Sequence, residues 1–322
     1  MILFDYGIFS LDTIEAIETE WLWYPYIPLG KVTIIQGDPG EGKTTLALNI
    51  AAAVTRGDML GSDEKTEPAN VLFQTAEDGI ADTVKPRLVA AGADCSRVMW
   101  KDESQHPLSM TDDMLEELIQ LTEPKLVILD PLQAYLGANV DMHRANEIRP
   151  VMSHIENLAS KYKCAIVLIG HMNKNMGTKT AYRGLGSIDI TAAARSVIVV
   201  ARDKKQPDIR VVGHIKSSLA PEGDTIAFRL SENNGFTFMG KYNANIDDLL
   251  IGVSSQPQPK MCELASQFLM AELGDGKPKP AKNLIDKANE ISISYDTLKK
   301  AKSKLSVQSV KIDNIWHWQI NV

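Results

Sequence analysis

The residues best suited to chemistry lie in one glycine-rich segment, Gly37-Asp38-Pro39-Gly40-Glu41-Gly42-Lys43-Thr44, which we call the phosphate loop. Its Gly-x4-Gly-Lys-Thr spacing is typical of a loop whose backbone N–H groups turn inward around phosphate oxygens. In this pattern Lys43 reaches the β- and γ-phosphates, and the hydroxyl of Thr44 holds Mg²⁺. The segment therefore predicts a site for ATP and Mg²⁺ that extends to the next residue, Thr45.

Two carboxylates belong to this predicted site. Glu41 lies inside the phosphate loop, where its negative charge would repel a nucleotide, so we expect its side chain to point outward. Asp130 ends the apolar run Leu126–Leu129. An Asp at the end of a buried strand can hold a Mg²⁺-bound water, so Asp130 is the predicted partner of Thr44 on the metal side.

The general base needs another source, because Pro131 follows Asp130 where many P-loop ATPases have Glu. Glu77 comes just after the apolar run Val71–Gln74. Strand ends at this edge of a parallel sheet face the ligand crevice. A carboxylate there can orient and deprotonate the attacking water, which makes Glu77 the candidate base and Asp78 the alternative.

His171 follows the apolar run Ile166–Gly170 and so reaches the same edge of the predicted sheet. A histidine in this position can sense the γ-phosphate through a hydrogen bond, whereas a lone histidine is more often structural. Both interpretations stay open from the sequence.

These residues require a frame that brings several strand ends together. Apolar, β-rich runs alternate with amphipathic helical stretches up to about residue 240. This alternation predicts an α/β fold whose sheet is buried on both faces and is largely parallel at its centre, and the shorter spacing of the later runs indicates an antiparallel extension. The predicted strands are Val32–Ile35, Val71–Gln74, Leu126–Leu129, Ala165–Ile169, Ser196–Val200, Ile209–Val212 and Thr225–Phe228, and the predicted helices are Thr45–Arg56, Met114–Leu121 and Asn146–Lys161.

The composition limits the class of protein. Hydrophobic residues make up 44% and charged residues 23%, a balance that is typical of a globular protein with a large core. The net charge of −7 means that any contact with DNA needs a local basic patch. Cys95, Cys164 and Cys262 are too far apart in sequence to indicate a disulfide framework or a zinc site. Neither a signal peptide nor an apolar run long enough to span a bilayer is recognisable, so we expect a cytosolic protein without a membrane partner.

The chain changes character after residue 252. Residues 253–260 are rich in Ser, Gln and Pro and are predicted to be a linker between a domain at 1–252 and a small unit at 261–322. Residues 260–322 hold ten lysines and seven acidic residues, a net of +3 in a chain whose total is −7.

The small unit has the element order of a winged helix-turn-helix. Its pattern predicts three helices followed by a hairpin that turns at Asp313-Asn314, with Ser294 as the N-cap of the third helix. Lys299 and Lys300 on that helix would meet DNA phosphates, although such units also dock proteins. The predicted helices are Cys262–Leu273, Ala281–Ala288 and Tyr295–Leu305, and the predicted strands are Val307–Ile312 and Ile315–Ile320.

The order of the motifs resembles that of the RecA-like ATPases. It is most similar to the RepA-type hexameric helicases and the related AAA ATPases of plasmids, phages and integrative elements, over about residues 20–240. Besides the residues above, the resemblance rests on Gly170–Lys174, Arg183–Ser187 and Ile188–Ser196. It implies a RecA-like P-loop NTPase core and a homo-oligomeric ring, usually a hexamer, that holds ATP between subunits.

The resemblance also implies cations that act on the neighbouring subunit's site. An arginine that enters such a site stabilises transition-state charge and is worth about 10³–10⁵ in rate in GTPases. Arg202 fits the family's position slightly better than Arg195, and Lys216 resembles a second cation of this kind.

DNA-binding loops line the channel of such rings, and two segments here match them, 133–149 and 173–187. The second carries Lys174, Lys179 and Arg183, together with glycines that suit a loop tracking a phosphate backbone. The resemblance therefore implies single-stranded DNA as a partner.

Three functions are compatible with these features. The preferred one is an ATP-driven helicase or translocase that serves the replication of a mobile element. The alternative is a DNA-binding regulator or loader in which ATP sets the assembly state without strand separation. A small-molecule kinase is less favoured, because the sequence contains no lid-like acceptor domain.

Overall fold

The structure is a computed structural model, and it describes residues 9–137, 140–172, 188–231, 235–246, 249, 261–290, 293–313 and 315–320. The chain divides into two compact units, 1–252 and 253–322. The linker predicted at 253–260 lies outside the described residues. Within the described ranges, no helix is both long enough and apolar enough to cross a membrane.

The first unit contains eleven described strands and five described α-helices. Its strands are β1 (Trp21–Trp23), β2 (Ile27–Pro28), β3 (Val32–Gly37), β4 (Val71–Thr75), β5 (Val98–Met99), β6 (Leu126–Asp130), β7 (Ala165–His171), β8 (Ser196–Arg202), β9 (Ile209–Ser217), β10 (Ile226–Ser231) and β11 (Gly235–Lys241). Its helices are α1 (Lys43–Arg56), α2 (Lys85–Ala90), α3 (Asp113–Thr122), α4 (Ala145–Tyr162) and α5 (Ile188–Ala193).

Nine of these strands form one sheet in the order β11-β10-β9-β8-β3-β7-β6-β4-β5. The pairs from β8 to β5 are all parallel, whereas β9, β10 and β11 add on as antiparallel strands. This arrangement confirms the predicted parallel centre and its antiparallel extension. Strand β11 was not predicted, because its residues alternate between exposed and half-buried positions and the run lacks a continuous apolar core.

Helices cover both faces of the sheet because successive strand residues point to opposite sides. Ile34 packs with the apolar residues of α3 and α4, such as Leu115 and Ile155, on one face. Ile35 packs with α1 and α2 on the other face, where Leu46 and Leu88 are buried. The centre of the sheet is therefore packed on both faces, which positions the ends of β3, β4, β6 and β7.

The second unit has its own core. It comprises α6 (Met261–Leu273), β12 (Lys279–Pro280), α7 (Ala281–Glu290), α8 (Tyr295–Lys304), β13 (Gln308–Ile312) and β14 (Ile315–Gln319). Its three strands pair antiparallel in the order β12-β14-β13. Leu269, Leu284, Leu298 and Trp318 are buried together, and the Oγ of Ser294 caps α8. The three helices and the hairpin occur in the predicted order, the short strand β12 was not predicted, and the winged-helix assignment stays a prediction.

Candidate nucleotide site

The phosphate loop connects β3 to α1, and its glycines have distinct reasons to be there. Gly40 and Gly42 have φ angles of +77° and +87°, a region that favours glycine. A Cβ at Gly37 would lie 2.3 Å from the carbonyl oxygen of Val200 on β8, whereas a Cβ at Gly40 would meet no described atom within 4 Å. The loop is thus fixed against the sheet at one end and open at its tip, next to the N-terminus of a 14-residue helix that favours anions.

Lys43 is the first residue of α1, and only 4% of its surface is exposed. Its Nζ donates hydrogen bonds to the carbonyl oxygens of Gly37 at 3.0 Å and Asp38 at 2.9 Å. Burial lowers the pKa of Lys43, and the nearby charge of Asp130 opposes that shift. The ammonium is therefore held by carbonyl dipoles, in a place where phosphate oxygens can replace them.

Thr44 and Asp130 lie side by side, as the sequence predicts. The hydroxyl of Thr44 donates a hydrogen bond to Oδ2 of Asp130 at 2.5 Å. Burial raises the pKa of the Asp130 carboxyl, while the hydrogen bond from Thr44 acts in the opposite direction. Both side chains offer hard oxygen donors, the kind that Mg²⁺ prefers, so these residues fit the ion.

His171 joins Lys43 to Glu77. The Nζ of Lys43 lies 3.2 Å from Nδ1 of His171. Because an ammonium can only donate, Nδ1 accepts and the ring hydrogen sits on Nε2. Nε2 lies 3.3 Å from Oε1 of Glu77. A row of hydrogen bonds therefore connects the candidate base to the phosphate loop, and His171 lies between them.

Asp78, the alternative base, is engaged elsewhere. Its Oδ2 lies 3.0 Å from Nη1 of Arg87 on α2. Its backbone N–H and that of Glu77 both donate to the hydroxyl of Thr75, which fixes this turn at the end of β4. In the described part of the chain, Glu77 contacts His171 and Asp78 does not.

Arg202 contacts the phosphate loop of its own chain. Strand β8 is parallel to β3, with Val199 beside Gln36, so the end of β8 lies at the same edge as the loop. Nη2 of Arg202 donates to the carbonyl oxygen of Gly40 at 3.2 Å, and Nε lies 3.8 Å from Oε1 of Glu41. This contact corrects the expectation that Glu41 points outward, since its side chain is only 18% exposed and faces a guanidinium that offsets its charge.

Arg195 lies at the other end of β8, away from the phosphate loop. Its backbone N–H donates to the carbonyl oxygen of Val32, at the start of β3. The five residues from there to Gly37 span about 17 Å at ~3.3 Å per residue. The Arg195 side chain is 50% exposed and lies 3.8 Å from Oε1 of Glu156, so it cannot reach the phosphate loop of its own chain.

Lys216 shares this distant edge with Arg195. Its Nζ donates to the carbonyl oxygens of Thr191, Ala192 and Ala194 at 3.0, 2.6 and 2.7 Å, which caps the end of α5. Burial lowers the pKa of Lys216, and the charge of Arg195 lowers it further. All three hydrogens of its ammonium have partners in the chain, which leaves Arg195 as the more available cation.

A cavity of about 640 Å³ opens beside the start of α1, and sequence reasoning did not identify it. Thr45 and Asn49 line it from α1, Leu230 and Phe236 from β10 and β11, and Arg87 from α2. Thr45 was predicted as part of the nucleotide site, and it lies at the border of this cavity. The other lining residues come from distant parts of the chain, so no local pattern could have indicated them.

The predicted DNA-binding residues fall into two groups. Lys174, Lys179 and Arg183 lie outside the described residues. Lys299 and Lys300 lie on α8 of the second unit, and both are exposed.

Comparisons with known proteins identify a family and several relatives. A family model described as an AAA domain matches residues 10–177, just over half of the chain. DNA repair protein RadA of Mycobacterium tuberculosis is 22% identical over 299 residues, which cover 89% of this chain and 57% of that protein. DNA repair protein RadA of Bacillus subtilis is 26% identical over 148 residues, or 45% of this chain and 28% of that protein. The chain therefore covers at most 57% of the length of these relatives.

A solved structure supports the fold. The ATPase domain of G40P superposes with a TM-score of 0.50 at 17% sequence identity, covering 65% of this chain and 84% of that chain. Its contribution is the overall architecture of the chain. With the matched family model, this shows that the chain belongs to the AAA domain family and has a RecA-like P-loop fold.

Proposed function

We propose that this chain hydrolyses ATP and uses the energy to act on DNA as a helicase or translocase. The observation that carries the proposal is the row of hydrogen bonds from Glu77 through His171 to Lys43. A base that is linked to the phosphate-binding lysine can respond to the γ-phosphate. This arrangement suits hydrolysis, because nucleotide binding alone does not need a general base.

The residues divide the chemistry between them. Lys43 exchanges its carbonyl partners for the β- and γ-phosphate oxygens, which releases Nδ1 of His171. Glu77 accepts the proton of the attacking water, a role that is worth about 10²–10⁴ in rate. Thr44 and Asp130 would hold Mg²⁺, which would neutralise charge on the phosphates.

The cavity beside α1 suits the nucleobase. It borders Thr45, which directly follows the phosphate loop, and Phe236 and Leu230 offer it apolar surface. Phe236→Ala is therefore expected to raise the KM for ATP several-fold while kcat stays nearly constant, because the base contact is the same in the ground and transition states. The KM and kcat of ATP hydrolysis test this, and a loss confined to kcat would contradict the assignment.

The two candidate arginines receive different roles in this proposal. Arg202 holds Gly40 and Glu41 of its own phosphate loop. Arg195, about 17 Å away along β3, can serve only a neighbouring chain. We therefore assign the trans-acting role to Arg195, which reverses the slight preference drawn from the sequence, and we infer a homo-oligomeric ring with shared sites.

DNA as the substrate has independent support. The relatives from M. tuberculosis and B. subtilis are DNA repair proteins by name. The second unit is basic in an otherwise acidic chain. The exposed lysines of α8 also favour the alternative, a regulator or loader that binds duplex DNA and assembles with ATP.

A paired measurement separates these functions. ATP turnover that rises with single-stranded DNA, together with displacement of a strand from a partial duplex, is expected for the helicase. ATP-dependent assembly on DNA without displacement would favour the regulator. Lys43→Ala is the control in both assays, and unchanged turnover in this variant would overturn the proposal.

A further inference from the structure

The hairpin of the second unit exposes a tryptophan next to lysines. Trp316 and Trp318 both lie on β14, two residues apart, so their side chains share one face of the strand. Trp318 is 6% exposed and belongs to the core of the unit, whereas Trp316 is 57% exposed. Packing in the core therefore accounts for a tryptophan at position 318, but it does not account for the exposed Trp316.

Lysines lie along the same face. Lys311 is paired with Trp316 across the hairpin, and Ser309 with Trp318. Directly opposite residues of an antiparallel pair point to the same side of the sheet. The Nζ of Lys311 lies 6.0 Å from the centroid of the Trp316 ring. The indole and the ammonium thus form one exposed surface.

Helix α8 extends this surface with more positive charge. The Nζ of Lys302 lies 4.6 Å from the centroid of the Trp318 ring and 2.5 Å from Oγ of Ser309. Lys299 precedes Lys302 by one helical turn, and its charge contributes to the lowered pKa of Lys302, after burial. In the described part of the unit, Lys299, Lys302 and Lys311 have no ion-pair partner, so their charges are available to an anionic ligand.

We propose that Trp316, with Lys311, Lys302 and Lys299, is a stacking platform for single-stranded nucleic acid. An aromatic ring beside a positive groove is the combination by which proteins hold unpaired bases and their phosphates. A duplex keeps its base faces stacked inside the helix and offers nothing to an exposed indole. A protein partner fits less well, because lysine is depleted in the buried centre of protein interfaces.

The platform deepens the proposed action on DNA without depending on the nucleotide site. Its test uses the full chain and a fluorescent oligo(dT), with binding followed by anisotropy as a function of salt. Trp316→Ala is expected to weaken binding about tenfold, since one stacked base is worth roughly 1–3 kcal/mol by alanine substitution. Trp316→Phe retains most of the affinity, because the ring still stacks.

The lysines are tested by the salt dependence of the same binding. Lys311→Gln is expected to reduce the slope of log affinity against log salt by about 0.7, the value for one phosphate contact on a single strand. Val310→Ser is the matched control, because Val310 lies on the opposite face of the hairpin and is paired with His317. Oligo(U) in place of oligo(dT) distinguishes DNA from RNA as the source of the bases.

Two results would overturn the platform. One is an unchanged affinity of Trp316→Ala for oligo(dT). The other is an equal loss of affinity for a blunt duplex, which would indicate a contact with phosphates alone. Basal ATP turnover without DNA is expected to stay at the wild-type level in Trp316→Ala. If the wild-type chain does not hydrolyse ATP, the proposed ATPase activity is wrong. The binding assay with oligo(dT) tests the platform alone.

Discussion

Glu77 and Asp78 are neighbouring acids with different surroundings. Glu77 faces His171, and Asp78 pairs with Arg87. Glu77→Gln is therefore expected to lower kcat for ATP by about 10²–10⁴-fold, the usual contribution of a general base, while ATP still binds. Single-turnover hydrolysis and binding of a fluorescent ATP analogue measure the two effects.

Asp78→Asn is the matched control for this prediction. It is a change of the same size one residue further along, and it breaks only an ion pair that is about half exposed on the arginine side. Such pairs contribute about 0–1 kcal/mol, so kcat should change little. A larger kcat loss in Asp78→Asn than in Glu77→Gln would transfer the role of base to Asp78.

Asp130 predicts a pH dependence of stability without nucleotide. Burial raises its pKa in the folded chain, so the folded state holds a proton that the unfolded state has lost above the ordinary value of 3.8. Stability therefore falls as the pH rises from 3.8 through the folded pKa, and this loss persists at neutral pH. Asp130→Asn is expected to remove that contribution and to melt at a higher temperature than the wild type at pH 7.

Thermal unfolding at several pH values, with and without MgATP, tests this prediction. The wild type should gain stability on adding MgATP, and Asp130→Asn should lose most of that gain because a charged ligand for the ion is missing. Asp113→Asn, on the exposed start of α3, is a suitable control. A lower melting temperature of nucleotide-free Asp130→Asn at pH 7 would contradict the reasoning.

At the scale of elements, the glycines at the two ends of the phosphate loop predict unequal effects. Gly37→Ala places a Cβ 2.3 Å from a carbonyl of β8 and forces two central strands apart, at a cost of about 1–3 kcal/mol. Gly40→Ala has open space and meets only the strain of its positive φ, about 1–2 kcal/mol. Urea unfolding of both variants measures the difference, with the greater destabilisation expected for Gly37→Ala.

Strand direction explains which site residues the sequence could place. Asp130, Glu77 and His171 follow continuous apolar runs of parallel strands, so their meeting at one edge was predictable. Arg195 directly precedes β8 and Arg202 is its last residue. From the sequence alone, either arginine could be the trans-acting one. The pairing of β8 with β3 separates them, because it sends one to each edge of the sheet.

Contacts between distant segments were not predictable. Arg202 approaches Glu41, although the two residues are 161 positions apart in sequence. Each is an ordinary charged residue in its own segment, so neither segment indicates the contact. The cavity beside α1 likewise combines residues of α1, α2 and the β10–β11 pair. Such contacts depend on how elements pack across the sheet, which hydrophobic periodicity does not specify.

At the scale of the whole molecule, the proposed ring completes the site of one chain with Arg195 of a neighbour, which would stabilise transition-state charge. Arg195→Ala is therefore expected to lower kcat by about 10³-fold or more while leaving ATP binding intact. Mixing this variant with Lys43→Ala distinguishes a shared site from a site within one chain. Arg195→Ala retains its phosphate loop, and Lys43→Ala retains its Arg195.

Mixed rings should therefore recover activity that neither variant has alone. With equal amounts and random assembly, about a quarter of the interfaces combine an intact loop with an intact Arg195.

Arg202→Ala mixed with Lys43→Ala should recover nothing, because Arg202 contacts the phosphate loop of its own chain and every site lacks one of the two residues. Recovery with Arg202→Ala and none with Arg195→Ala would restore Arg202 as the trans-acting arginine. ATP turnover after refolding or subunit exchange at several mixing ratios measures the outcome, and the curve of activity against ratio reports how many chains share a site.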